Sequence, residues 1–415
     1  MRTAIVHYWL LNMRGGEKVV DTLCRLLPDA DVFTLFYDPE RVSDNIRSHN
    51  VQASFLQPFH KRYRSLLPLM PLALESFDLR EYDLVISSES GPAKGVITSS
   101  NTRHVCYCHT PMRYLWDLYP AYRNDWTRSR SKRGLMTVAA NYLRLWDFAA
   151  AARVDEFVAN SENVRRRIWK TYRRDSQVVR PPVNVENFYW KPPGDYHLIV
   201  SELVPYKRVD AAIRAFNQSG RKLRVVGEGP EYKALRRSAA ANIEFCGRAT
   251  DEDLRELYAG CQAFLMPGEE DFGITAVEAL ASGKPVIALA RGGALEVVPE
   301  FGGLLYDDPE GLSDAVERWD QFESDPDPRA LQAYAAQFSE AEFMRQMTSI
   351  LFETSSYDSP SHRPNTWSSA SSAAAASAVF LPSNHFPSTS SRPLARSAFK
   401  FTRATNLSPS KNGST

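Results

Sequence analysis

Apolar residues fall along this chain in two alternating patterns. Short runs that are nearly all apolar or β-branched, Thr3–Tyr8, Tyr82–Ser88, Arg103–His109, Glu156–Ser161 and Gln177–Val183, are separated by stretches with helical spacing. A second series follows at His197–Leu203, Lys222–Gly227, Ile243–Gly247, Ala263–Pro267, Pro285–Leu289 and Gly303–Tyr306. Runs of this length bounded by turn residues predict buried strands, and their alternation with helices predicts an α/β chain with parallel sheets. The segment Glu17–Leu27 shows the intervening pattern. Val19, Val20, Leu23, Leu26 and Leu27 form one apolar stripe at helical spacing, just after Gly15 and Gly16.

Two proline-rich stretches, Arg180–Val183 and Lys191–Gly194, interrupt the alternation and predict an extended linker. The expected organisation is a first domain over residues 1–182, a second over 195–337, and a closing helix over 338–353 able to cross back to the first. Residues 354–415 form a tail rich in Ser, Ala and Pro, with one acid, Asp358. Such a composition cannot bury enough apolar surface to offset ordering, so disorder is expected there.

Composition narrows the function classes. The 415 residues are 43% hydrophobic and 24% charged with a formal net charge of +1, which gives no reason to expect nucleic acid as a partner. Five scattered cysteines, Cys24, Cys106, Cys108, Cys246 and Cys261, make no disulfide framework and point to reduced thiols in a cytoplasmic protein. Met1–Leu11 lacks a small-residue cleavage site, so no secretory leader is expected. The most apolar stretch, Ser65–Phe77, is broken by Pro68 and Pro71 and is not expected to span a membrane. Basic residues do flank apolar ones at Lys61–Arg64 and Leu66–Leu72, and recur at Arg128, Arg130, Lys132 and Arg133. Peripheral contact with the inner membrane and a solvated charge run are equally good readings of that pattern.

The candidate chemistry concentrates in Pro267–Glu278, which leaves a strand and enters a helix near Gly273. Backbone amides at a helix N-terminus bind phosphate and sugar oxygens, and a glycine there allows close approach. Glu270 precedes the helix and Glu278 lies inside it, so their carboxylates can accept hydrogen bonds from hydroxyls at two ends of one ligand. Elsewhere, His109 stands at the C-terminal end of a predicted strand, where open α/β sheets bind ligands. Asp251-Glu252-Asp253 has an acid-x-acid pattern, but Thr250 with Asp253 reads as a helix cap, and no essential metal or other cofactor is expected.

The Pro267–Glu278 string resembles the Glu-x7-Glu signature of the retaining glycosyltransferases of family four (group 1), which have the GT-B fold: two Rossmann-like domains facing across a cleft. The resemblance covers roughly residues 1–352. Cys106–Trp116 is similar in particular to bacterial O-antigen and polysaccharide mannosyltransferases. By position, the resemblance implies that Glu270 contacts donor-sugar hydroxyls, that the amides of Phe272, Gly273 and Ile274 face sugar and diphosphate, and that Glu278 holds the ribose. It places Gly15 and Gly16 beside the diphosphate, His109 near the donor sugar, Lys207 on the diphosphate, Gly229 in a turn facing the cleft and Arg248 near the base. Gly292-Gly293 would line the same cleft.

One position departs from the family. Glu202 stands where an arginine usually helps clamp the diphosphate, and an acid there repels it. Either Glu202 turns away while Arg208 supplies the charge, or activity is reduced or lost. The implied reaction is transfer of a sugar, mannose from GDP-mannose, to a lipid-linked saccharide. A sugar-nucleotide epimerase and a non-catalytic binding protein are the competing readings.

Overall fold

The computed structural model describes residues 1–125, 130–321 and 326–353. Arg128 and the whole tail from residue 354 lie outside the described residues.

The first sheet has seven strands, all parallel, in the order β3-β2-β1-β4-β5-β6-β7. They are β1 (Thr3–His7), β2 (Asp31–Thr34), β3 (Val51–Ala53), β4 (Leu84–Glu89), β5 (Arg103–Cys108), β6 (Glu156–Ala159) and β7 (Ser176–Val178). Sequence patterning missed β2 and β3. Both are short; β3 is nowhere fully buried, while β2 opens an apolar run, Val32–Tyr37, that the patterning passed over. The predicted run Gln177–Val183 supplies only the two final residues of β7 before the chain turns into the proline linker.

The second sheet repeats the plan with six parallel strands in the order β10-β9-β8-β11-β12-β13. These are β8 (Tyr196–Val200), β9 (Lys222–Val226), β10 (Ile243–Gly247), β11 (Phe264–Met266), β12 (Val286–Leu289) and β13 (Gly303–Tyr306). Strand order reverses beside β1 in the first sheet and beside β8 in the second, and ligands of open α/β sheets bind at such reversals.

Helix Glu340–Thr348 lies on the first sheet, although its sequence follows the second. Phe343, Met347, Ile350 and Leu351 are buried with Ile5, Val19, Leu23 and Tyr107. The Phe343 and Tyr107 rings meet edge-on at 5.5 Å, and Arg25 pairs with Glu340 at 2.9 Å. This packing ties the last described helix to the first sheet.

All five cysteines are free thiols, four of them buried. Within Leu66–Leu72 the apolar residues divide. Met70 is buried and Leu66 and Leu67 pack on the first domain's core, whereas Leu69 and Leu72 are exposed. Lys61 and Arg62 are exposed beside them; the side chains of Arg64, Arg130 and Lys132 lie outside the described part. Among the described residues no helix is long and apolar enough to cross a membrane.

Candidate functional site

β1 ends at His7 and the chain then turns into helix Gly15–Leu26. That helix opens with Arg14 and Glu17, whose carboxylate accepts from the Arg14 amide at 3.2 Å. Burial pushes the Glu17 carboxyl up to about 7. His109 follows β5 directly and faces this turn: a β-carbon on Gly16 would stand 3.7 Å from its Nε2. Ser88 of β4 holds the His109 ring, with its hydroxyl 2.9 Å from Nε2. Burial lowers the His109 pKa to about 4, so the ring is neutral at physiological pH.

The second half of the site begins at β11. Gly268 lets the loop run against the Lys207 backbone, where a β-carbon would come within 2.6 Å of the Lys207 Cα. Lys207 forms an ion pair with Glu270. Burial pulls the Lys207 ammonium down, but Glu270 and Tyr206 outweigh it, and its pKa lies above the ordinary lysine range. Gly273 then adopts a φ of 102°, left-handed backbone that a glycine takes without strain, and helix Ile274–Ala281 starts behind it. Ser201, Lys207, Gly268, Glu270 and Thr275 border a small cavity at the ends of β8 and β11.

The two halves meet at these elements. A β-carbon on Gly15 would stand 3.1 Å from Ile274 Cδ1. One turn further into each helix, Lys18 Nζ lies 3.5 Å from Glu278 Oε1. Tyr258 donates to the other Glu278 oxygen at 2.8 Å, so this buried carboxylate is held from both sides. Glu202 is turned toward the first domain, where its Oε2 accepts from Arg14 at 3.1 Å.

Models of two domain types match the chain: Glycosyltransferase Family 4 over residues 13–187 and Glycosyl transferases group 1 over residues 189–338. The chain belongs to the family 4, group 1 glycosyltransferases. An uncharacterized glycosyltransferase of Methanocaldococcus jannaschii is 29% identical over 177 residues, which span 40% of this chain and 50% of that protein. This chain thus matches about half the length of that relative. A GDP-mannose-dependent monoacylated α-(1-6)-phosphatidylinositol monomannoside mannosyltransferase of Corynebacterium glutamicum is 36% identical over 123 residues, 26% of this chain and 32% of the relative. Among solved structures, the Anabaena HepE protein in complex with UDP superposes with a TM-score of 0.62 at 17% identity, covering 85% of this chain and 99% of HepE. Sucrose-phosphate synthase of Thermosynechococcus elongatus gives 0.65 at 16%, with the same coverage of each chain. At these identities the structures establish the fold, which is GT-B.

Other residues singled out in the glycosyltransferase sequence have more varied positions. Phe272 is buried against Phe338, and its side chain is part of the second core. Gly229 packs on the backbone of Leu203, where a β-carbon would come 2.3 Å from the carbonyl oxygen. Gly292 and Gly293 back the Glu270–Phe272 loop, the Gly293 amide donating to the Glu270 carbonyl at 2.9 Å. Arg248 is exposed after β10. Arg208 does not join Lys207. It adopts a left-handed backbone conformation and its guanidinium pairs with Glu310 and Asp210. The charge opposed to Glu202 is therefore Arg14, not Arg208. Thr250 caps helix Asp251–Gly260 by accepting from the Asp253 amide at 3.1 Å. No three His, Cys, Asp or Glu side chains converge as a metal site among the described residues.

Sequence reasoning missed a polar seam beside the site. Arg167, on helix Glu162–Tyr172, pairs with Asp271 and, at 2.7 Å, with Glu269. Arg113 approaches Asp271 at 3.6 Å. Burial raises the Asp271 pKa against the pull of these two guanidiniums. Ser161 caps its own helix and donates to the Asp271 carbonyl at 2.7 Å, while Glu296 accepts from the amides of Glu162 and Asn163. The missed signal was a cationic side chain on an otherwise ordinary helix face. His7 was also missed, although it ends β1, the strand beside which the order of the sheet reverses.

Proposed function

We propose that this chain is a retaining glycosyltransferase that moves a sugar, mannose from GDP-mannose, to a hydroxyl of a lipid-linked oligosaccharide in surface-polysaccharide synthesis. One observation carries the reading: the first residues of two helices, Gly15 and Ile274, meet, with His109 against the adjacent Gly16. Two helix N-termini converging on one place present unpaired amides and positive dipole ends to an anion, which suits a sugar nucleotide's diphosphate.

The chemistry follows from the charges. As the bond between anomeric carbon and phosphate oxygen breaks, negative charge grows on the departing diphosphate, and Lys207 and the helix amides stabilise it. A diphosphate competes with Glu270 for the Lys207 ammonium. The carboxylate so released can accept hydrogen bonds from sugar hydroxyls. Neutral His109 and Glu270 orient the sugar. The acceptor hydroxyl forms its bond on the face the diphosphate leaves, and its proton passes to the leaving phosphate. Glu278, fixed by Lys18 and Tyr258, is oriented to accept from ribose hydroxyls.

The donor and acceptor assignments are supported by relatives whose names specify GDP-mannose and, in the Corynebacterium protein, a phosphatidylinositol mannoside. Exposed Leu69, Leu72, Leu135, Val138, Tyr142 and Leu145, with Lys61 and Arg62, support peripheral contact with an anionic membrane surface. Glu202 favours a second reading, a binding protein without turnover. Incubation with GDP-mannose and a lipid-linked acceptor tests the assignment. Transfer of mannose with retention is expected; binding without transfer, or release of an epimerised sugar nucleotide, contradicts it.

A further inference from the structure

His7 is the last residue of β1 and lies opposite Ser88 in the register with β4. Its ring is fully buried, and Nδ1 is 2.9 Å from the Ser88 carbonyl oxygen. A carbonyl oxygen only accepts, so Nδ1 carries the hydrogen. Burial, reinforced by neighbouring His109, lowers the His7 pKa to about 3, so the ring is neutral. A neutral ring protonated on Nδ1 leaves Nε2 as a bare acceptor. That Nε2 is buried and has no hydrogen-bond partner among the described residues.

The Cε1 edge of the ring, next to Nε2, lies beside the turn at Gly16. A β-carbon on Gly16 would stand 3.4 Å from His7 Cε1, 3.5 Å from the Tyr8 hydroxyl and 3.7 Å from His109 Nε2. The open side of Gly16 is therefore bordered by three polar rings. Ser88 fixes two of them, His7 through its carbonyl and His109 through its hydroxyl. A bare imidazole nitrogen cannot bind an ionised phosphate or carboxylate, which have no hydrogen to give. It selects a donor, and an alcohol is the donor that a sugar supplies.

We propose that His7 is a ligand-contacting residue whose Nε2 accepts a hydrogen bond from a hydroxyl of the sugar that enters beside His109. The inference rests on the glycosyltransferase reading and adds to it a neutral acceptor that discriminates between hydroxyl-bearing and deoxy positions.

His7→Asn and His7→Gln separate the two ring nitrogens. The asparagine amide can still donate toward the Ser88 carbonyl but offers nothing where Nε2 stood; the glutamine amide reaches the Nε2 position. Wild type and both variants are titrated with GDP and with GDP-mannose, and transfer is measured with a lipid-linked acceptor. For His7→Asn, melting temperature and GDP affinity are expected to stay near wild type. Either the extra affinity of GDP-mannose over GDP falls about tenfold or the acceptor KM rises by that factor. The first outcome assigns the hydroxyl to the donor and the second to the acceptor saccharide. His7→Gln is expected to recover part of the loss. An unchanged affinity ratio with an unchanged acceptor KM overturns the proposal, since the nitrogen then holds only water. An equal loss of GDP affinity also overturns it, since the residue is then merely structural. If wild type binds GDP-mannose but transfers nothing, the transferase reading fails, while the affinity ratio in His7→Asn still decides the role of His7.

Discussion

Gly15 and Ile274 touch across the two halves of the molecule, where a β-carbon on the glycine would stand 3.1 Å from the isoleucine Cδ1. Each is the first residue of its helix, so the contact brings two helix N-termini together. Residues 259 positions apart thereby share one anion-favouring region, and Lys18 and Glu278 close the same interface one turn deeper.

Gly16 separates stability from activity. The contacts a β-carbon would make there, at 3.4–3.7 Å, are ordinary van der Waals distances. Alanine is also the better helix former, by up to about 1 kcal/mol. Gly16→Ala is therefore expected to melt no lower than wild type, yet to lose about tenfold or more in kcat/KM, because the methyl group fills the side of the turn that His7 and His109 border. Thermal melts and transfer kinetics on the same preparation check both halves of the prediction.

Glu202→Arg is expected not to weaken donor binding. The Arg14–Glu202 pair is largely exposed, so its loss costs about 1 kcal/mol or less. On the proposed donor site, the substitution also removes an acid from beside the diphosphate and lowers repulsion. Calorimetric titration with GDP-mannose reads the effect. A clear fall in affinity would mean that Glu202 positions Arg14 for the ligand.

Arg167→Ala is expected to destabilise the protein by roughly 2 kcal/mol, because it strips Glu269 and Asp271 of their strongest partner in a partly buried seam. Arg167→Lys should recover only part of this, since one ammonium cannot match a planar guanidinium shared between two carboxylates. Denaturant unfolding of both variants measures the difference.

The histidines set a pH dependence. His7 and His109 have folded pKa values of about 3 and about 4, below the unfolded value near 6.5. Their contribution to stability is present above pH 6.5 and is lost as pH falls toward those folded values. Glu17, raised to about 7, acts in the opposite sense: its contribution is present below the unfolded value of about 4.5 and is lost as pH rises toward 7. Histidine NMR titration is expected to show both rings neutral at pH 5. Protonation of either near pH 6.5 contradicts the burial argument.

Much of this site was readable because strand ends in a parallel α/β chain are where ligands bind, and His109, Gly16 and the Pro267–Glu278 string all follow apolar runs. What sequence hid depends on distance in space. Arg208 looked available because it adjoins Lys207, but its left-handed backbone sends the side chain to Glu310, 102 residues away. Arg167 carries no local mark of Glu269 and Asp271, which lie more than 100 residues along the chain. Strand β3 is short and nowhere fully buried, and its place is fixed by pairing with β2, whereas β2 opens an apolar run, Val32–Tyr37, that sequence reading could have used.

The central claim is that His109 from the first domain and Glu270 from the second act on one sugar. A double-mutant cycle with His109→Ala and Glu270→Gln, read as kcat/KM for mannose transfer from GDP-mannose, tests it most directly. Two groups orienting the same sugar should be coupled by about 1 kcal/mol or more, so the double variant should fall far short of the product of the single losses. Additive losses, within about twofold, would contradict a shared site.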